Sequence, residues 1–143
     1  MALFIGITML LSIVGFALMY SGGRNIGKNT QKFSRIMEKM LTPEERSIIL
    51  RSGFTLIEYI YPYNCSNCTE KIKLYKDFMR DKDISKYTIL SIYPTNGSLL
   101  IDRITGINGE TVELNGVNDM ASLEKIYCNI AIRKPDICIF YNL

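Results

Sequence analysis

The sequence predicts an α/β domain built on one mixed β-sheet and preceded by a single transmembrane helix. The first 23 residues, MALFIGITMLLSIVGFALMYSGG, carry no charged side chain. From Phe54 onward, runs rich in β-branched and aromatic residues alternate with stretches of helical period, the pattern of an α/β fold. Within that alternation, Asn108-Gly109 lies between two short strand-like runs, a strong hairpin signal.

As a helix the uncharged run reaches roughly 30 Å or more, the thickness of a bilayer core. Only Met1 and Ala2 precede it, with no basic stretch before it and no small-residue cleavage site after it, so it reads as a retained span over residues 1–23 and not as a cleaved signal. Arg24, Lys28, Lys32, Arg35 and Lys39 follow, opposed by Glu38 alone. On the positive-inside rule this places the flank, and the domain, on the cytoplasmic side of a cell membrane. Three Asn-x-Ser/Thr triplets, at Asn64, Asn67 and Asn96, point the other way, because such sequons matter outside the cytoplasm.

The net charge of +3 comes largely from this flank. A basic stripe beside a bilayer is accounted for by lipid head groups, so the lipid bilayer is an expected partner and nucleic acid is not. The chain has no histidine. That removes histidine-based catalytic triads and histidine-ligated metals.

Residues 24–53 read as a basic amphipathic helical connector. From Lys28 to Leu41, Phe33, Ile36, Met37, Met40 and Leu41 recur at helical spacing. In LTPEERSIIL, Thr42 is the expected N-cap, Pro43 the first helical residue and Glu45 the capping-box partner, with Gly53 at the far end. The domain proper, residues 54–143, begins with FTLIEYIY (Phe54 to Tyr61), apolar enough for a central strand covered on both faces apart from Glu58. A helix from Ser66 to Met79 presents Ile72, Tyr75, Phe78 and Met79 on one side. KYTILSIYP is the next strand, and SLLIDRITGINGETVELNG the hairpin. A helix over 119–131 carries Met120, Leu123, Ile126, Tyr127 and Ile130, and DICIFYNL closes the chain as a strand or a docked tail.

Cys65 and Cys68 fall where the first of these strands gives way to a helix. Near the positive end of a helix dipole, unpaired backbone N–H groups stabilise a thiolate at Cys65 and depress its pKa. Cys68, one turn on, is close enough to close an intramolecular disulfide and release a mixed one. Lys71 and Lys73 add positive potential. Glu58 on the preceding strand is a candidate proton-relay carboxylate, or else a strand residue turned to solvent.

The stretch FTLIEYIYPYNCSNCTEKIKLYKDF resembles the thioredoxin-like family, and the likeness extends more weakly from Phe54 to about Ile130. It implies a thiol-disulfide oxidoreductase acting on protein thiols or disulfides without a cofactor, with Cys65 as nucleophile and Cys68 as resolving thiol. The loop lacks the family's common tryptophan. The resemblance also implies a cis-proline just before a later strand, beside the cysteines. Pro94 takes that role if the fold has lost its middle helix; Pro135 takes it if the hairpin is an insertion.

Cys128 and Cys138 form a second candidate pair, bridged as a structural disulfide if the tail folds back over the last helix, or buried as two small hydrophobes. Such a bond implies an oxidising compartment, contrary to the charge rule, or a thermophilic archaeal cytosol where such bonds are tolerated. Two other functions fit the same residues. Cys65 and Cys68 could hold Cu(I) between two thiolates. Alternatively, a single-span accessory subunit could use the nine tyrosines, the connector and the apolar tail to bind a larger membrane complex.

Overall fold

In the computed structural model the described residues are 33–141, within a compact unit running from Phe33 to Leu143. Its elements are β1 (Ile36–Met37), α1 (Pro43–Arg51), β2 (Thr55–Pro62), α2 (Cys68–Phe78), α3 (Lys82–Tyr87), β3 (Thr88–Thr95), β4 (Ile101–Thr105), β5 (Thr111–Glu113), α4 (Met120–Ile130) and a closing 3-10 turn (Asp136–Tyr141). The strands form one mixed sheet in the order β1-β3-β2-β4-β5. β1 and β2 both run parallel to β3, whereas β4 is antiparallel to β2 and to β5.

β2 lies at the centre, and its near-continuous apolar sequence follows from cover on both faces. Ile57 and Tyr59 point into the larger core with Tyr75 and Phe78 of α2 and Leu123 and Tyr127 of α4. Leu56 points the other way, into a smaller core with Leu41, Ile49 and Ile89. α1 is fixed at its start by the full capping box, Thr42 Oγ1 accepting from Glu45 N while Glu45 Oε2 accepts from Thr42 N. The hairpin turns at Asn108-Gly109 with Gly109 at φ +83°. Just before it, Gly106 presses on α4: a Cβ there would stand 2.7 Å from Ile130 Cγ2 and 3.0 Å from the Ile130 carbonyl oxygen.

Three sequence expectations change and one open alternative closes. The helix expected over Lys28 to Leu41 is absent in its described part, where β1 adds an edge strand and the domain therefore begins ahead of Phe54. Ile36 packs on the larger core and Met37 on the smaller, so neighbouring side chains serve opposite faces, as strand geometry requires and a helix cannot provide. The helix expected from Ser66 to Met79 starts at Cys68, and a separate α3 follows, capped by the Asp81 carboxylate. The closing segment is a docked 3-10 turn and not a strand. Finally, no described peptide bond is cis; Pro94 lies inside β3 opposite Tyr61, and Pro135 precedes the closing turn, so neither supplies a cis-proline. Among the described residues no helix is long and apolar enough to cross a membrane. The expected span over residues 1–23 lies outside them, as does the connector up to Lys32.

Candidate functional site

The site grows from the carboxyl end of β2. Tyr63 N donates to Thr95 O at 3.0 Å and Cys65 N donates to Pro62 O at 3.1 Å, which turns the chain back toward the sheet. Cys65 and Cys68 are joined in a disulfide with their Cα atoms 5.5 Å apart. Cys68 is the first residue of α2 and is buried, whereas Cys65, three residues ahead of the helix, is half-buried. Asn67, at the N-cap, makes no side-chain capping bond. The first N–H groups of a helix have no intrahelical partners, so without that cap they remain available to negative charge on the adjoining sulfur.

Both cysteines line a cleft of about 430 Å³ whose walls include Tyr59, Lys71, Leu100 and Asp102, with Asn115 and Asn118 on the loop after β5. Asp102, on β4 opposite Tyr59, is 4 % exposed and so needs partners. Lys71 Nζ lies 2.9 Å from Asp102 Oδ2, and the Tyr75 hydroxyl donates to Oδ1. The same ammonium donates to the carbonyls of Leu114 at 2.9 Å and Val117 at 2.5 Å, which pins the loop after β5 onto α2. Burial, helped by the Asp102 charge, pushes the Tyr59 phenol up to about 12. Tyr75 moves further in the same direction, through burial and its bond to Asp102. Both phenols therefore stay protonated near neutrality. Asp102, Lys71 and Glu70 also line the cleft.

Sequence reasoning missed Asp102. The available signal was its place in IDRIT, where strand alternation puts Asp102 and Ile104 on one face and Arg103 on the other. Glu58, the carboxylate that was singled out, is 1 % exposed but faces the α1 side of the sheet. There Arg46 Nε holds Oε1 at 2.7 Å, and Arg103 holds Oε2 through Nε and a terminal nitrogen, both at 2.9 Å. It is neither at the cysteines nor in solvent. Lys71 is in the cleft wall, while Lys73 is exposed and outside it.

Cys128 and Cys138 are bonded to each other, with Cα atoms 5.3 Å apart and exposures of 2 % and 1 %. The bond ties α4 to the closing turn, which Tyr141 also reaches by donating to Glu124 Oε2 at 2.7 Å.

Compared with known protein families, with curated proteins and with solved structures, the chain matches none. What stands is an α/β domain with a mixed five-stranded sheet that carries a Cys-x-x-Cys disulfide at the carboxyl end of its central strand.

Proposed function

We propose that the chain is a thiol-disulfide oxidoreductase of thioredoxin-like type, held at a membrane by its apolar N-terminal run. The observation that carries this reading is the asymmetry of the Cys65–Cys68 pair, with Cys65 half-buried at a cleft and Cys68 buried at an uncapped helix start. The sheet order and the α2 and α4 layer are compatible with the family. A five-residue loop, 96–100, joins β3 directly to β4, which fits a version of the fold without its middle helix. Just before β4, beside the cysteines, Leu100 stands where the resemblance implies a cis-proline.

The oxidised pair accepts electrons. A substrate thiolate attacks Cys65 Sγ, the Cys65–Cys68 bond breaks, and Cys68 leaves as a thiolate and takes up a proton. A second substrate thiolate then attacks the mixed disulfide at the substrate sulfur, releasing Cys65 as a thiolate at the helix start. The substrate loses two electrons and the pair gains them. Run backward, the reduced pair opens a substrate disulfide. Asp102, buried with Lys71 in the same cleft, is the carboxylate suited to exchange the proton with Cys68.

The test is catalysed reduction of insulin by the reduced chain, paired with thiol mapping by mass spectrometry. Cys68→Ser should accumulate a mixed disulfide through Cys65, and Cys65→Ser should do neither. Turnover by Cys65→Ser equal to that of the parent chain overturns the reading. So does a parent chain with no turnover whose reduced Cys65 and Cys68 are together protected by one bound Cu(I).

A further inference from the structure

The end of the sheet remote from the cysteines carries its own surface chemistry. Arg35, Phe54 and Tyr87 each immediately precede one of the three parallel strands, so they share that end. The Arg35 guanidinium lies over the Phe54 ring at 4.7 Å, and Arg133 and Lys86 both lie over the Tyr87 ring, at 5.3 and 5.2 Å. Gly53 joins the two clusters, because a Cβ there would be 3.7 Å from the Arg133 guanidinium. The result is a continuous strip of cations on aromatic rings. Next to it, one residue ahead of Arg133, Ile132 is 58 % exposed.

We propose that this end of the domain docks on a lipid bilayer bearing anionic head groups, leaving the Cys65–Cys68 cleft on the side away from the membrane. Basic residues laid on aromatic rings beside a projecting isoleucine are the composition of a surface that sits among lipid head groups. Charge agrees: Arg35, Arg51, Lys82, Lys86, Arg133 and Lys134 outnumber Asp81, Asp83, Glu110 and Asp136 around this end. Chain entry agrees as well. The domain is entered through Phe33 and Arg35 at this same end, and residues 24–32, nine in all, link it to the uncharged run of residues 1–23. Nine residues reach at most about 30 Å. If that run spans a bilayer, the strip is always within reach of the lipid surface, and docking becomes an intramolecular event of high effective concentration. β2, at about 3.3 Å per residue, then holds the cysteine end roughly 25 Å above the strip.

The chain has no tryptophan, so one introduced indole reports without background. The full chain is reconstituted in phosphatidylcholine vesicles containing about a third phosphatidylserine, as Ile132→Trp and, at the cysteine end, as Tyr63→Trp. Bromine-labelled lipid should quench the indole at position 132 at least about twofold more than the one at 63, and Lys86→Glu with Arg133→Glu should remove that excess. Equal quenching at the two positions, or failure of the chain to float with the vesicles, overturns the proposal. A blue-shifted indole at 132 that lipid does not quench and that depends on protein concentration assigns the surface to a second copy and also overturns it. The cysteines are untouched in these variants, so insulin reduction reports on the redox reading separately.

Discussion

The two disulfides have the same chemistry and nearly the same Cα separation, 5.5 and 5.3 Å, yet their surroundings differ in every respect that governs reactivity. Cys65–Cys68 closes a separation of three residues, has one half-buried cysteine, and shares a cleft with a carboxylate and an ammonium. Cys128–Cys138 closes a separation of ten, buries both cysteines among apolar side chains, and holds a tail that has few other anchors. Access and nearby charge, more than the bond itself, separate a reactive disulfide from a staple.

Exchanging the deletions gives the sharpest break in that comparison. Cys65→Ala with Cys68→Ala should abolish insulin reduction, a loss of at least about a hundredfold, while loop entropy limits its stability cost to about 2 kcal/mol. Cys128→Ala with Cys138→Ala should cost about 3 kcal/mol, lowering the melting temperature by more than about 10 °C, with turnover retained below that temperature. Urea unfolding and insulin turnover on both variants check the pair of outcomes; a staple deletion that removed turnover in a folded chain would erase the distinction.

Asp102→Asn is the next largest effect. It removes the carboxylate proposed to exchange the proton with Cys68 and leaves the Lys71 ammonium without its carboxylate partner. Exchange should slow between about tenfold and a hundredfold, with its pH profile flattened, and stability should fall by about 3 kcal/mol. A profile unchanged in shape would mean that the carboxylate only holds Lys71 in place.

The smallest effect is on the alkaline side. Tyr59 is raised from 10 to about 12, and burial raises Tyr75 and Tyr127 as well. The unfolded chain releases these protons first, so it binds fewer protons than the folded chain above pH 10 and stability falls as pH rises from there through about 12. In an absorbance titration these three phenolates should appear together with loss of the fold, after the exposed tyrosines. Smooth titration of all of them before unfolding would contradict the packing around the cleft.

Local signals were readable in the sequence where the physics is local. The capping box of Thr42 and Glu45, the Asn108-Gly109 turn and the cysteine spacing each involve residues within a few positions of one another, and each appears in the structure. β1 was misread because apolar residues at 33, 36, 37, 40 and 41 satisfy a helical period as well as an edge strand; the Leu90 N–H that reaches Arg35 O at 2.9 Å decides between them. The carboxylates failed for a related reason. Glu58 meets one arginine 12 residues earlier in the chain and another 45 residues later, and Lys71 meets Asp102 across a register that exists once β4 has paired with β2. Each required the sheet to be assembled before its role could be seen.

The close approach of Gly106 to Ile130 bears on that register. A side chain at 106 would collide with a helix backbone that cannot yield, so the hairpin would lift or shift along its neighbour. A slip of one position turns every side chain of β4 over. Arg103 would then enter the sulfur cleft in place of Asp102, so that the sign of the charge presented to an incoming thiolate depends on a methyl group that is missing four residues away.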